Sequence, residues 1–323
     1  MKRELELWQF IAAQLKQNRS VILLVVAESK GSSPGRVGFK MAVAENDLRG
    51  SIGGGVMEVN LVERARFKIQ DSGFKINSGV VRQNHKKNSA NPSGMICSGE
   101  QTIIFYKLNF RDLPAIRQVI HALRNHQSKV LQITSNNFEV IENQSNDFDF
   151  CFGVQSENEF LFQEKLGFKN KLFIVGGGHC ALALSELASK MDFHISLFDD
   201  RSDLNTLAKN RFVHEKTIFE NYEKIRDFIP SGEKHFVVVM TLGYLTDEIV
   251  IRALLDKDFK YFGVLGSKAK MATLLKNLKR EGFPEEKLNK IYTPIGLQIN
   301  SRTPEEIAVS IAAEIIAVKN ATD

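Results

Sequence analysis

Residues 172–199 read LFIVGGGHCALALSELASKMDFHISLFD, and this stretch decides the fold. It begins with a short apolar run typical of a buried strand and passes through three glycines into a helical pattern. A second apolar run follows and ends at Asp199, at the spacing that puts an acid on the second strand of a dinucleotide-binding unit. This order of strand, glycine turn, helix, strand and acid predicts the first βαβ unit of a Rossmann-like domain.

The glycine turn also predicts a binding site for an anion. Glycines let the backbone approach a pyrophosphate, and the N-terminus of the next helix supplies N–H donors and partial positive charge. Asp199 is expected to accept hydrogen bonds from ribose hydroxyls. The alternative interpretation is a Rossmann-like turn that has lost nucleotide binding, because a fold does not fix a function. The candidate ligand residues here are Gly176, Gly177, Gly178, His179 and Asp199.

The remainder of the second half continues the alternation. Apolar runs near 235–240 and 260–265 are separated by helical patterns, which predicts a doubly wound parallel sheet. The second run leads into Gly266, Ser267 and Lys268 at a helix start. Because ligands of open α/β sheets bind outside the carboxyl ends of the strands, both glycine turns are expected to face one crevice. A plain glycine turn beside a solvent-exposed Lys268 is the alternative interpretation.

The first half has glycine-rich loops of its own. One follows an apolar strand pattern at 31–36, and another at 51–55 leads into a helix predicted over 56–69 with Val59 and Val62 inward. Successive glycines at a helix start form an anion-binding nest, and the fork of an arginine side chain suits phosphate. The candidate binding residues of this half are Ser32, Arg36, Gly53, Gly54, Gly55, Glu58 and Cys97.

Elements change from a mixed to an alternating order near residue 165. The change predicts two domains, an α/β domain over 1–165 and a separate Rossmann-like domain over 166–323, each with ample core. Residues 112–165 contain a helix followed by small strands and are interpreted as an add-on to the first domain. The polar stretch 82–95 predicts an exposed loop.

Composition narrows the class of protein. The 323 residues are 43% hydrophobic and 25% charged, which is ordinary for a globular protein. With no apolar run near the ~18 residues that span a bilayer and no signal-peptide pattern, we expect a cytoplasmic protein without a membrane partner. A net charge of +5 permits an anionic ligand, but without a basic stripe it does not favour nucleic acid. Cys97, Cys151 and Cys180 lack metal-type spacing, which favours a reduced protein.

The last helix carries a sequence-level start signal. Thr303 is the expected N-cap, Pro304 suits the first helical position, and Glu306 completes a capping box with Thr303. Ile307 and Ile311 begin an apolar face at helical spacing. The preceding turn, PIGL at 294–297, is not explained by capping and suggests a site edge or a domain contact.

Several motifs occur in order along nearly the whole chain. They are GSSP at 31–34, GFKM at 38–41, GSIGGGVME at 50–58, CSG at 97–99, GGGHCA at 176–181, DDR at 199–201, GSK at 266–268 and PIGL at 294–297. In this order they strongly resemble the XdhC/CoxI family, the accessory proteins of xanthine dehydrogenase and related molybdenum hydroxylases. Leu242 and Tyr244 depart from the family pattern, in which a basic residue and a histidine often stand at these places.

The resemblance implies a cofactor carrier and insertion chaperone more than a catalyst. It implies binding of the molybdenum cofactor, as molybdopterin or its nucleotide form, which is held for sulfuration by a cysteine desulfurase and handed to an apo molybdenum hydroxylase. It also places Cys97 as a tentative contact to molybdenum or its sulfur ligand, since soft ligands suit that metal. Cys180 ranks below it, although a helix N-terminus favours a thiolate there.

Two further interpretations stay open, together with expectations about assembly. The glycine turn and Asp199 also fit an NAD(P)-dependent oxidoreductase, but we find no convincing hydride-transfer set. A structural or regulatory nucleotide-binding protein is the remaining interpretation.

The turns at Gly53–Gly55, Gly176–Gly178 and Gly266–Lys268 are expected to open toward a shared cleft, and the protein is expected to form a homodimer. The sequence does not name the client enzyme.

Overall fold

A computed structural model describes residues 2–70, 78–84, 99–144, 148–156 and 159–321. The chain divides into two compact units, Met1–Gly167 and Phe168–Asp323. The predicted domain boundary after residue 165 lies beside this division. Over the described ranges, no helix has both the length and the apolar character needed to cross a membrane.

Antiparallel strands dominate the described part of the first unit. Its helices are α1 (Lys2–Lys16), α2 (Gly55–Gln70) and α3 (Leu113–Arg124), with a 3-10 turn at Phe110–Asp112. Its strands are β1 (Val21–Gly31), β2 (Lys40–Val43), β3 (Leu48–Gly50), β4 (Ser78–Asn84), β5 (Gly99–Leu108), β6 (Lys129–Thr134), β7 (Phe138–Glu142), β8 (Phe150–Ser156) and β9 (Glu159–Lys165). They form one sheet in the order β3-β2-β1-β5-β4 and another in the order β7-β6-β9-β8.

Helices α1 and α3 and both sheets of the first unit share one core. Trp8 from α1, Leu23 from β1, Ile116 from α3 and Phe162 from β9 belong to the same buried cluster. Described residues of the segment 112–165 therefore contribute side chains to the core of this unit. Trp8 is the single tryptophan of the chain, so its fluorescence reports on this core.

Two expectations for the first unit need correction. Residues 82–84 belong to strand β4, where Arg82 lies opposite Thr102 of β5, and the rest of the predicted loop lies outside the described residues. Val59 was expected to face inward but is 57% exposed. The helix buries a different face, because contact with the sheet is made by residues at helical spacing, namely Met57, Leu61, Val62 and Ala65.

Lys40 of the GFKM motif joins three elements of the first unit. Its buried ammonium lies 2.6 Å from Glu164 of β9 and 3.1 Å from Glu4 of α1, and it donates to the carbonyl of Gly38 at 3.0 Å. Burial alone would lower the pKa of Lys40, but Glu164 and Glu4 outweigh burial and hold the pKa well above its ordinary value. The motif lysine is therefore a structural cation.

The second unit is a parallel α/β domain. Its strands are β10 (Asn170–Val175), β11 (Phe193–Asp199), β12 (Glu215–Ile218), β13 (Gly232–Val239) and β14 (Phe259–Val264). Its helices are α4 (His179–Ala188), α5 (Asn205–Lys209), α6 (Ile225–Phe228), α7 (Tyr244–Leu254), α8 (Lys268–Arg280), α9 (Glu285–Leu288) and α10 (Pro304–Asn320), with a 3-10 turn at Tyr222–Lys224. The sheet order β12-β11-β10-β13-β14, parallel throughout, confirms the predicted doubly wound fold. Strand β12 was not predicted, because its four residues are mostly exposed and carry no apolar pattern.

The final helix begins where the capping box predicted. The Thr303 hydroxyl accepts from the Glu306 N–H at 3.2 Å, and the Glu306 carboxylate accepts from the Thr303 N–H at 3.2 Å. The PIGL turn is tied to this helix by three hydrogen bonds, one of which runs from the Ser310 hydroxyl to the Leu297 carbonyl at 2.5 Å. Glu314 accepts from the Gly296 N–H at 2.9 Å, and Leu297 donates from its N–H to the Ser310 carbonyl at 3.2 Å. The turn therefore helps to hold α10 in place within the second unit.

Candidate functional site

The glycine turn after β10 lies at the switch point of the parallel sheet. Strand β10 is flanked by β11 on one side and β13 on the other, and ligands of such sheets bind where the strand order reverses. Gly176 has a φ of 107°, and a Cβ built there would lie 2.2 Å from the Met240 carbonyl oxygen after β13. A side chain is excluded because the two backbone segments touch.

Gly178 has a different environment from Gly176. A Cβ built on Gly178 would meet nothing within 4 Å, so the space in front of the turn is open. Gly178 also has no side chain with which to cap the first turn of α4, and His179 beside it is exposed. Backbone N–H groups at an uncapped helix start are donors for an anion.

Asp199 is fully buried and holds the glycine turn from within. Its carboxylate accepts from the Gly177 N–H at 2.5 Å and from the Arg201 N–H at 2.8 Å. The Arg201 guanidinium donates to both carboxylate oxygens, each at 2.9 Å. Burial alone would raise the pKa of Asp199, but the bonds from Arg201 and Gly177 outweigh burial and hold it below the ordinary value of 3.8. The expected ribose contact would require one of these bonds to open.

The hydrogen bonds of Asp199 predict a contribution to the free energy of unfolding that is lost in acid. Because its folded-state pKa lies below 3.8, its contribution is complete above that pH and is lost as the pH falls through the folded-state value. Asp199→Asn should cost the second unit about 2 kcal/mol at pH 7, since charged hydrogen bonds are weakened. The gap between the two proteins should narrow below about pH 4. Hydrogen exchange of β10 and β11 at pH 7, 5 and 3 measures the gap, and a gap of constant size down to pH 3 would contradict the assignment.

The turn after β14 leaves the sheet at the same edge. Strands β10, β13 and β14 are parallel neighbours, so the chain segments that follow them share the carboxyl edge. The Ser267 hydroxyl accepts from the Lys270 N–H at 3.4 Å and caps α8, whereas Lys268 is exposed. Within the second unit, two of the three predicted anion turns are thus brought to one edge.

The loop after β13 contributes features that the sequence did not reveal. Buried Asp247 accepts from the Thr241 hydroxyl at 2.6 Å and from the Thr241 N–H at 3.1 Å, and burial raises the pKa of Asp247. Leu242 and Leu245 are 81% and 74% exposed. Apolar side chains therefore face solvent at the carboxyl edge, including one at a position where the sequence departs from the family pattern.

The two cysteine expectations have different outcomes. Cys97 lies outside the described residues, and its role stays a prediction. Cys180 was expected to favour the thiolate, but burial raises its pKa, and the nearby carboxylate of Glu305 in the first turn of α10 raises it further. The sequence pattern around α4 could not show this, because Glu305 belongs to α10 and only the fold brings its negative charge close to Cys180.

The glycine nest before α2 already holds a carboxylate of its own chain. Glu58 accepts from the Ser51 hydroxyl at 2.7 Å, from the Ile52 N–H at 2.8 Å and from the Gly54 N–H at 3.0 Å. The prediction that Gly53–Gly55 form an open nest for a cofactor anion therefore needs correction, because donors of the nest are engaged internally. Glu58 acts here as the anion.

The loop at 31–36 packs directly against this nest. A Cβ on Gly53, whose φ is 130°, would lie 2.6 Å from the Gly35 nitrogen. The Ser29 hydroxyl donates to the Gly35 carbonyl at 2.8 Å and fixes the loop to β1. Ser32 and Arg36 are both exposed at its surface. The two predicted loops of the first unit thus form one cluster.

Two buried polar groups under this cluster were missed by sequence reasoning. Gln101 of β5 is 1% exposed and donates from Nε2 to the Ile52 carbonyl at 3.3 Å. Within the described ranges its Oε1 atom has no hydrogen-bond partner, and neither has the Oγ atom of Ser33, which is 4% exposed. No local pattern marked Gln101 as buried, because it lies in the polar start, GEQT, of strand β5.

Comparison with known proteins assigns both units. The model of the XdhC and CoxI family matches residues 14–79, and the model of the XdhC Rossmann domain matches residues 172–315. The chain belongs to the XdhC and CoxI family. The motifs from which the resemblance was inferred lie in the first and second units alike.

Relatives of this XdhC/CoxI chain are distant in sequence. It is 22% identical over 312 residues to the uncharacterized protein YqeB of Escherichia coli K12, covering 96% of this chain but only 46% of YqeB. It is 23% identical to a Bacillus subtilis 168 protein described as a probable xanthine dehydrogenase subunit, covering 95% of this chain and 96% of that protein. A solved structure described as a xanthine dehydrogenase of Bacillus halodurans superposes with a TM-score of 0.70 at 22% identity, covering 98% of this chain and 95% of that one. The superposition shows a shared fold.

The polar groups of the XdhC/CoxI chain differ in kind between its two units. The carboxyl edge of the second unit presents donors, namely the first turn of α4, the Ser267 hydroxyl and the Lys268 ammonium. Under the loops of the first unit, the atoms of Gln101 and Ser33 that find no partner among the described residues are an amide oxygen and a hydroxyl oxygen. A phosphate suits the donors; the Gln101 amide oxygen only accepts, whereas the Ser33 hydroxyl can accept or donate. The predicted cleft that also includes Gly53–Gly55 stays a prediction.

Proposed function

We propose that this protein is an accessory factor of a xanthine dehydrogenase-type molybdenum hydroxylase. It holds the molybdenum cofactor while a cysteine desulfurase sulfurates it, and it then inserts the cofactor into the apo hydroxylase. The observation that carries the proposal is the match to both family models, one in each unit. The Bacillus subtilis relative, which aligns over 95% of this chain and is described as part of a probable xanthine dehydrogenase, supports the choice of client class.

Residues of the second unit fit the phosphate of molybdopterin. The N–H groups at the start of α4, the Ser267 hydroxyl and the Lys268 ammonium would hold it at the carboxyl edge of the sheet. Cys97, in the CSG motif, would supply a soft contact to molybdenum or its sulfur. The bound group brings the molybdenum centre that the hydroxylase uses, and the protein binds, orients and shelters it. A cytoplasmic homodimer is part of the same proposal.

An NAD(P)-dependent oxidoreductase is the second candidate, favoured by the Rossmann strand order. The state of Asp199 counts against it. The acid that reads ribose hydroxyls in such enzymes is here buried and bonded to Gly177 and Arg201. We therefore expect weak binding of NAD(P) compared with the pterin cofactor.

Ligand content and activation test the proposal directly. The purified protein should carry pterin and molybdenum and should activate an apo molybdenum hydroxylase in the presence of a cysteine desulfurase. Lys268→Ala should weaken cofactor retention about tenfold, the scale of one charged hydrogen bond. Lys276→Ala, an exposed lysine further along α8, is the matched control. Nicotinamide turnover without bound pterin would support the oxidoreductase instead.

Cys97→Ser separates a cofactor contact from a packing role. The substitution replaces a soft donor by a hard one and changes one atom. We expect an unchanged melting temperature and a loss of hydroxylase activation, whereas Cys151→Ser at an exposed cysteine should change neither. Normal activation by a stable Cys97→Ser protein would remove Cys97 from the site.

A further inference from the structure

The loop after β13 exposes two leucines for which the fold gives no reason. Leu242 and Leu245 are the two most exposed of the large apolar side chains in the part of the chain that the structure describes. A single exposed apolar residue is ordinary on a protein surface, whereas apolar side chains grouped in one place mark a contact surface. Two such side chains within four residues therefore make this loop a candidate contact surface.

The loop is held in one conformation by a buried carboxylate. Asp247, in the first turn of α7, accepts from the Thr241 hydroxyl at 2.6 Å and from the Thr241 N–H at 3.1 Å. Both ends of the segment that carries the leucines are thus tied together. A fixed loop loses little conformational entropy when a partner covers it, which favours binding.

The same loop adjoins the glycine turn after β10. A Cβ built on Gly176 would lie 2.2 Å from the Met240 carbonyl oxygen and 2.9 Å from the Thr241 nitrogen. Leu242 follows directly, so it is one residue away from a backbone contact with the turn that leads into α4. A Cβ built on Gly178 or on Gly243 would meet nothing within 4 Å. A ligand held at the start of α4 therefore lies beside the loop that carries the leucines.

A second segment adds apolar surface to this edge of the sheet. The Ile295 N–H donates to the carbonyl of Val264, the last residue of β14, at 3.1 Å. The chain that follows Ile295 therefore leaves the sheet at the carboxyl edge, and its side chains of Leu297 and Ile299 are exposed. The edge that presents the donors for an anion thus also presents apolar side chains from two segments.

We propose that Leu242 and Leu245 form a docking contact for the apo hydroxylase while the cofactor is transferred. This inference rests on the proposed function and deepens it by naming the surface that meets the client. A carrier hands over a ligand without releasing it to water only if the recipient covers the edge that holds the ligand. Burial of two leucines against an apolar protein surface is strongly favourable, whereas the charged phosphate of the cofactor gains nothing from them. The matching surface of the client is an apolar patch beside the mouth of its empty cofactor site.

The double variant Leu242→Gln with Leu245→Gln tests the contact. The probe is a xanthine dehydrogenase purified without its molybdenum cofactor, and biolayer interferometry measures its binding to the cofactor-loaded protein. Binding should weaken at least about tenfold, and activation should need a correspondingly higher concentration of the carrier. Cofactor retention and melting temperature should not change, because both side chains are exposed and neither belongs to the donor set. Val309→Gln with Ile316→Gln, at exposed apolar residues of α10, is the matched control and should bind the client normally.

The outcomes separate this inference from the proposed function. Normal client binding and activation by the Leu242→Gln and Leu245→Gln protein, beside an active unaltered protein, would overturn the docking contact alone. Loss of cofactor retention would assign the leucines to the ligand, and a lower sedimentation mass with normal client binding would assign them to a contact between copies of this chain. Each of these two results also overturns the docking contact. An unaltered protein that neither binds nor activates the xanthine dehydrogenase overturns the proposed function and this inference with it.

Discussion

Lys40→Met should lower the free energy of unfolding of the first unit by about 3–5 kcal/mol, the scale of breaking a buried ion pair. The lysine neutralises Glu164 and Glu4 at 2.6 and 3.1 Å, and its removal leaves Glu164 buried without its cation. Urea unfolding followed by Trp8 fluorescence measures the loss in the correct unit, because Trp8 belongs to the same core.

The control for Lys40 is a lysine in an exposed pair. Lys190, just beyond the end of α4, lies 3.4 Å from Glu186 of α4, and most of both side chains is in water, so Lys190→Met should change stability by no more than about 0.5 kcal/mol. The Lys40 effect should also be constant from pH 6 to pH 9. Its folded-state pKa lies above the ordinary value of 10.5, so the contribution is complete below that value and is lost only as the pH rises through the folded-state pKa. A loss under 1 kcal/mol would show that the ion pair is replaceable.

Gly176→Ala should destabilise the second unit by at least about 2 kcal/mol, because an alanine would carry the strain of a positive φ. Its Cβ would also approach the Met240 carbonyl oxygen to 2.2 Å, which forces the turn and the neighbouring segment apart. Hydrogen exchange measures the effect, and we expect it to be faster in β10 and β13 of the Gly176→Ala protein than in the unaltered protein. Cofactor retention should fall in parallel, because the turn that positions the α4 donors is displaced.

Gly178→Ala is the matched partner of that variant. The φ of Gly178 is −72°, and a Cβ there meets nothing within 4 Å, so stability should stay within about 0.5 kcal/mol. If the open space in front of Gly178 receives the cofactor, the added methyl should weaken retention without changing hydrogen exchange. A Gly178→Ala protein that is stable and retains cofactor normally would move the ligand away from this turn.

Much of the fold could be predicted from the sequence, because the decisive elements have strong local signals. The alternation after residue 165 predicted the parallel sheet that the structure confirms, and the capping box at Thr303 marks the start of α10 correctly. Strand β12 was not predicted because it is short and mostly exposed. The prediction that Val59 of α2 faces inward was wrong, because this side chain is exposed. Both errors arise where contacts with other elements, and not local pattern, decide burial.

The candidate site was less predictable because partners across the fold decide what each residue can do. The sequence places Glu58 and Asp199 beside glycine turns, but only the structure shows that their carboxylates bond those turns. It also cannot show that Gln101 is buried with an amide oxygen that no described residue contacts by a hydrogen bond, since a glutamine in a strand is more often exposed. Motif position therefore located the glycine-rich turns and left the chemistry of their atoms open.

The buried clusters of this chain also set rules for recombination between family members. Trp8, Ile116 and Phe162 share one cluster, so a crossover near residue 112 would combine halves of that core from different parents. A crossover at Gly167 and Phe168 would instead let each parent donate a complete core, because the described clusters of the second unit begin at Leu172 and Phe173. We expect chimeras of the second kind to fold, because each unit keeps a core from a single parent. The Rossmann-like unit can then be exchanged between family members as a whole.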